Sequence, residues 1–128
     1  MGRFIPPDPT KGDESTVGGY AAVHARPVAF EGPDGMSYSV EIATDETGDA
    51  AAPVGAYVLF LRWARVGEQK VEGHLETDFL ARGASEGDVV RAVGAMPLAE
   101  IKALLYALVR EASGGSSRRW WDVMKDEA

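Results

Sequence analysis

Acidic residues and one histidine alternate along a short stretch of the chain. Glu72, His74, Glu76 and Asp78 are each separated by one residue, so a β-strand would place all four on one face at intervals of about 6.6 Å. A histidine beside carboxylates can act as an acid, a base or a metal ligand. Residues two apart on a single strand need a neighbouring strand to complete a metal site, whereas solvated strand faces commonly carry such residues. We therefore expect a solvated or partner-binding face and assign no catalytic residue, no metal and no cofactor; a metal-dependent or acid/base enzyme site at His74 is the lesser alternative.

A second group of candidate binding residues lies near the C-terminus and combines two arginines with two tryptophans. These residues are Arg118, Arg119, Trp120 and Trp121. Arginine and aromatic side chains together form a platform on which the bases of single-stranded nucleic acid stack. The same side chains also suit a groove on a protein partner or on the chain's own domain. Because Asp122, Asp126 and Glu127 follow directly, we favour docking on protein over contact with nucleic acid or membrane.

The composition limits the other classes of function. The chain has 128 residues and a formal net charge of −7, and this charge disfavours binding to phosphate backbones. It has no cysteine, which excludes disulfides, thiolate metal sites and cysteine nucleophiles. The serines lack the context of a nucleophile elbow, and no Gly-rich phosphate loop joins a strand to a helix. The start of the chain does not resemble a signal peptide and no stretch reaches the ~20 apolar residues of a membrane span, so we expect a soluble cytoplasmic protein without membrane contact.

The first two strands are predicted from a turn. Within residues 20–42, the sequence Gly32-Pro33-Asp34-Gly35 fits a three-residue hairpin loop with the glycine in the left-handed position of a bulge. This loop places Gly32 opposite Met36 and Phe30 opposite Tyr38, so the apolar residues of both strands share one face. Turn chemistry and periodicity therefore predict the same register.

The stretch from Gly55 to Gly83 predicts two longer strands, and two registers are compatible with it. A two-residue turn beginning at Gly67 pairs Val66 with Gln69, whereas a three-residue loop pairs Val66 with Lys70. We favour the second because it gathers more apolar area on one side of the sheet. That side carries Tyr57, Leu59, Leu61, Trp63, Val71, Leu75 and Phe79. The other side then carries Phe60 and Arg62 beside the acidic residues and His74.

Beyond Gly83 the apolar period changes from two to 3.6 residues. Ser85, with Asp88 three residues later, resembles a capping box, and a short helix would end at Gly94. A long amphipathic helix follows from Leu98 to Ala112, and its apolar side is the expected cover for the sheet.

These elements predict an α+β fold, in which a four-stranded antiparallel β-meander is followed by a short helix and a long amphipathic helix packed on one sheet face. We divide the chain into a flexible N-terminal arm (1–19), one domain (20–112), a Gly/Ser linker (113–117) and a tryptophan-containing tail (118–128). The order of four strands and a helix is similar to that of Whirly and PUR-type domains, which bind single-stranded nucleic acid; this similarity rests on element order alone and transfers no residue.

We expect a non-enzymatic protein-interaction module or a homo-oligomer, because the sheet face away from the helix needs a cover. Its partner would be another protein or a second copy of the chain. Single-stranded nucleic-acid binding is the alternative, and the acidic charge disfavours it. The candidate partner-binding residues are Phe60, Arg62, Glu72, His74, Glu76, Asp78, Arg118, Arg119, Trp120 and Trp121.

Overall fold

The computed structural model describes residues 6–63 and 71–113. A 3₁₀ turn at Pro9–Lys11 precedes three helices and five strands. In chain order these are α1 (Val17–His24), β1 (Ala29–Glu31), β2 (Ser37–Glu46), β3 (Val54–Trp63), β4 (Val71–Glu76), β5 (Ala81–Gly83), α2 (Glu86–Gly94) and α3 (Leu98–Ser113).

The strands form one antiparallel sheet, which confirms the predicted α+β fold. Strands β1 to β4 lie in the order of the chain. Strand β5 pairs with the first residues of β3, and β4 pairs with its later residues. The two long strands β2 and β3 pair along their whole length, from Ser37 opposite Trp63 to Glu46 opposite Val54. This pair is the centre of the sheet, so the side chains of β3 decide what each sheet face presents.

The first hairpin has the predicted turn and register. The backbone N–H of Gly32 donates to the Met36 carbonyl at 2.8 Å, and Phe30 lies opposite Tyr38. Gly35 adopts a φ of 80°, which is the left-handed conformation that the turn requires. Turn residues were sufficient to fix this part of the sheet.

One face of the sheet, called the inner face below, packs on the helices. The central strands contribute Tyr38, Val40, Val58 and Phe60, all at most 4% exposed. The helices contribute Val89, Val93, Ile101, Leu105 and Val109 to the same cluster. Each large apolar side chain buried in this way stabilises the fold by roughly 1.5–3 kcal/mol.

Both predicted helices are present. The Ser85 side chain accepts a hydrogen bond from the Asp88 backbone N–H at 3.2 Å and caps α2, while α3 ends one residue later than expected, at Ser113. Within residues 6–63 and 71–113, no helix has the length and apolar character needed to cross a membrane.

The register favoured for the second hairpin is wrong. Phe60 lies opposite Leu75 and Leu61 lies opposite His74, and a β-bulge between Arg62 and Trp63 then places Trp63 opposite Val71. Leu75 is thereby matched with Phe60 and not with Leu61. The physical reason is that the inner face is shared by all strands, and Phe60 continues the row of Val40, its partner on β2. The turn itself lies outside the described residues.

The sequence did not predict helix α1, which begins within the segment assigned to an N-terminal arm. The Thr16 hydroxyl accepts a hydrogen bond from the Gly19 N–H and caps this helix, and Val17 and Val23 are buried. Two consecutive glycines disfavour a helix in isolation. Here Gly18 is needed for close approach, because a Cβ at this position would lie 3.0 Å from the Gly94 Cα of α2.

Candidate functional site

The outer face of the sheet, opposite the helices, carries a row of large side chains on β3. We call Tyr57, Leu59, Leu61 and Trp63 the apolar stripe. Each of the four is partly exposed, because side chains alternate along a strand and the neighbours Val58 and Phe60 point into the core. The described helices pack on the inner face, and none of them covers the stripe. A row of adjacent aromatic and aliphatic side chains on an open sheet is typical of a binding surface.

Polar and acidic residues flank the stripe on the neighbouring strands. Leu59 lies between Glu41 of β2 and Glu76 of β4, and Leu61 lies between Ser39 and His74. The Trp63 indole Nε1–H donates to the Ser39 hydroxyl at 2.9 Å, which fixes the ring against the sheet. The outer face therefore combines an apolar centre with acidic edges.

An open cavity of about 380 Å³ lies at the Tyr57 end of the stripe. Its walls are formed by Asp45, Tyr57, Glu76, Thr77, Asp78, Phe79 and Arg82. Three carboxylates and one guanidinium thus surround two aromatic rings. The Tyr57 and Phe79 rings meet edge to face at 6.0 Å, and the Arg82 guanidinium lies 5.4 Å from the centre of the Phe79 ring.

An irregularity between β4 and β5 creates this cavity. The Thr77 hydroxyl accepts a hydrogen bond from the Val58 N–H at 3.1 Å, taking a place that a backbone carbonyl would otherwise fill. The ladder resumes where the Leu80 N–H donates to the Ala56 carbonyl at 2.7 Å. Between these points the chain leaves the regular alternation, and the Phe79 ring lies over Gly55, where an added Cβ would collide with the ring.

The cavity has a negative electrostatic character. The pKa of Tyr57 is raised, first because the hydroxyl is partly removed from water and then because Glu76 and Asp45 oppose a second negative charge. The same field that disfavours tyrosinate favours a cation. In chemical terms, the arrangement suits a basic group held beside aromatic rings.

The structure divides the candidate residues predicted from the sequence. His74 and Glu76 lie on the outer face beside the apolar stripe, and Asp78 lines the cavity. Phe60 is fully buried in the core and so lies away from any surface, because its side of β3 packs on the helices. The group at residues 118–121 lies outside the described residues.

Arg62 and Glu72 belong to a different cluster, at the end of the sheet near the first turn. The Arg62 guanidinium lies 3.6 Å from Glu72 and 3.8 Å from Asp34. The Tyr38 hydroxyl donates to Asp34 at 2.6 Å. Burial, and then this bond to a carboxylate, raises the pKa of Tyr38 to about 12. The cluster connects the first turn to β3 and β4, and we assign it a structural role.

Sequence reasoning missed the apolar stripe, Phe79 and Arg82 as surface residues. It assigned the stripe to the helix-covered side because of the register. The signal that favours the observed pairs from Leu59 to Arg62 is Gly67, because a two-residue turn beginning there predicts their register. For Phe79, a strict alternation along residues 71–81 predicts the wrong face, and nothing in the sequence marks Thr77 as the point where alternation ends.

The geometry does not assemble an evident reactive centre among the described residues. No three histidine, aspartate or glutamate side chains within residues 6–63 and 71–113 are placed to hold a metal ion. Comparison of the chain with protein-family models, with curated proteins and with solved structures finds no match. Function has to be argued from the residues of this chain.

Proposed function

We propose that this protein is a non-enzymatic protein-interaction module that binds an apolar segment of another protein through the outer face of its sheet. The observation that supports this proposal most directly is the apolar stripe, Tyr57, Leu59, Leu61 and Trp63, on the open side of the central strand. Tyrosine and tryptophan are the residue types that most often dominate the free energy of protein association. Their position at the middle of a sheet gives them a rigid backbone support, which lowers the entropy lost on binding.

The acidic edges favour a partner segment that carries lysine or arginine. Glu41 and Glu76 flank Leu59, and three carboxylates line the adjoining cavity. Charges at the rim of an interface act mainly on partner choice and on the association rate. The same charges repel phosphates, so they count against single-stranded nucleic acid as the ligand.

A second copy of the chain is a less suitable occupant than a basic partner. In a two-fold symmetric dimer the same patch meets itself. The acidic edges of one copy would then lie against those of the other, and like charges in contact cost stability. We therefore propose that the ligand is a segment of a different protein.

Selection from a library of displayed random peptides tests this proposal with the full chain as the target. The expected result is a consensus that combines two or more aromatic or large aliphatic residues with lysine or arginine. A library that yields no enriched sequence, or one enriched in acidic residues, would contradict the proposal. Sedimentation equilibrium on the same sample shows whether self-association takes the place of peptide binding, which would also contradict it.

A further inference from the structure

The C-terminal segment of this chain has the chemistry that the outer face selects. Residues 118–124 read Arg-Arg-Trp-Trp-Asp-Val-Met, which combines two basic residues with four apolar ones. We propose that this segment binds the apolar stripe of its own chain and so competes with a partner for the same surface. This inference rests on the proposed function, because it uses the same face.

The complementarity extends to individual groups. Two adjacent tryptophans, Trp120 and Trp121, are costly to leave in water, and the stripe offers a row of aromatic and aliphatic side chains. Arg118 and Arg119 carry a charge opposite to that of Glu41 and Glu76, which flank the stripe.

The connection is long enough to reach. Helix α3 ends at Ser113 and lies against β4, the edge strand beside β3. A path around this edge covers about one helix diameter and two strand spacings, roughly 20 Å in all. Residues 114–120 span up to about 25 Å when extended. Trp120 and Trp121 are therefore within reach of the stripe without any change in α3.

Covalent connection makes even a weak contact effective. A segment joined by a short connection is present at an effective concentration in the millimolar range. A segment that binds with millimolar affinity when free would thus occupy the face about half the time, and a tighter segment would occupy it for most of the time. An external partner then has to displace the segment before it binds, so the tail lowers the apparent affinity for the partner.

Disulfide trapping tests this placement in the full chain, which has no cysteine of its own. Asp122→Cys is combined with Ser37→Cys, opposite Trp63 on the outer face, or with Ala43→Cys, opposite Tyr57. The matched control combines Asp122→Cys with Ala107→Cys, an exposed position on α3 that is closer to the tail along the chain. Because all the changed residues of the sheet and helix are small, and Ser37 and Ala107 are exposed, the fold is expected to survive.

The expected result is an intramolecular disulfide that forms about tenfold faster, for at least one outer-face position, than for the control. Equal rates for the control and both outer-face positions would overturn the proposal. A disulfide between two chains, seen as a covalent dimer by mass, would also overturn it and would assign the tail to a second copy.

A competition measurement separates failure of this inference from failure of the proposed function. The double variant Trp120→Ala, Trp121→Ala is expected to bind the selected basic, aromatic peptide at least about twofold more tightly than the unmodified chain, because the competing segment is lost. Unchanged affinity overturns the tail contact and leaves peptide binding intact. Loss of peptide binding in this variant would overturn both the competition and the assignment of the ligand to the stripe.

Discussion

The Tyr38 hydroxyl is the most strongly perturbed titrating group among those described here. It is 1% exposed as a residue and donates to the Asp34 carboxylate at 2.6 Å. Removing a buried group from water disfavours its charged form, and a neighbouring carboxylate adds to this effect. A structural cluster thus ties the first turn to the sheet through one neutral phenol.

This tyrosine predicts how stability depends on alkaline pH. The unfolded chain releases the phenolic proton near pH 10, whereas the folded chain holds it until its pKa of about 12. The unfolded state therefore binds fewer protons in this window, and the free energy of unfolding falls as pH rises from 10 to 12. The loss due to Tyr38 is on the order of 2–3 kcal/mol.

Urea unfolding of the wild type and of Tyr38→Phe at pH 9 and pH 11.5 measures this contribution. The variant is expected to lose about 1–3 kcal/mol at pH 9, since the charged acceptor Asp34 loses a donor, and to show a smaller further loss at pH 11.5. All other tyrosines are common to both proteins, so the difference isolates Tyr38. A parallel pH dependence in the two proteins would show that the phenol is not perturbed.

At the scale of the elements, β3 is the central strand of the account because one of its faces packs in the core and the other forms the apolar stripe. Val58 and Phe60 are fully buried, while the stripe residues that alternate with them are partly exposed. Because side chains alternate along a strand, a shift of one residue in pairing would move the apolar set from one sheet face to the other.

Two neighbouring substitutions test the register directly. Phe60→Ala is expected to lower the free energy of unfolding by about 3–5 kcal/mol, because it leaves a cavity in the core. Leu61→Ala is expected to cost less than about 1.5 kcal/mol, because its side chain is already partly solvated. Chemical denaturation of both variants provides the comparison. The opposite order of costs would restore the register of the longer turn and remove the apolar stripe.

The contact between Phe79 and Gly55 supports one wall of the cavity and is open to a matched test. Gly55→Ala would place a Cβ against the ring and is expected to cost about 1–3 kcal/mol. In a Phe79→Ala background the same substitution should be close to neutral. Gly87→Ala on α2, where no close contact arises, is the control and should stabilise by up to about 1 kcal/mol. Equal costs in both backgrounds would show that Phe79 does not lie over Gly55.

The elements with a local sequence signal were predictable, and those held by distant contacts were not. Pro33, Asp34 and Gly35 predicted the first hairpin. Ser85 predicted the start of α2, and the apolar residues repeating every 3.6 positions predicted α3. The predicted register of the second hairpin was wrong because buried apolar area does not distinguish two strand faces that are both apolar. Helix α1 was not predicted because two consecutive glycines disfavour a helix in isolation; the close approach of Gly94 to Gly18 and of the Asp13 backbone to Gly19 explains them.

The candidate site was predicted in part for the same reason. His74, Glu76 and Asp78 were recognised from their alternation and do lie beside the site. His74 and Glu76 share a strand face in either register, whereas Asp78 lines the cavity beyond the end of β4. Their apolar neighbours were assigned to the covered side. Arg62 was placed with them by the same error, although its actual partners are Asp34 and Glu72.

At the scale of the whole molecule, the protein is a sheet with one face closed by helices and the other left open with acidic edges. The net charge of −7 adds a long-range attraction for basic partners, which salt screens. The affinity for a basic peptide is therefore expected to fall between 50 and 500 mM NaCl, by about tenfold if two or three ion pairs form at the rim. Isothermal titration calorimetry at both salt concentrations measures the change. An affinity that rises with salt would show that the edges take no part.

The affinity of the selected peptide for Leu61→Lys, compared with Ala107→Lys, tests the central claim most directly. Both substitutions add the same charge, one in the middle of the apolar stripe and the other on the exposed surface of α3. We predict that Leu61→Lys lowers the affinity by at least about tenfold, because it places a charge at the centre of the interface, and that Ala107→Lys changes it by less than about twofold. Equal effects of the two substitutions, in proteins shown to be folded, would contradict the assignment of the outer face as the binding surface.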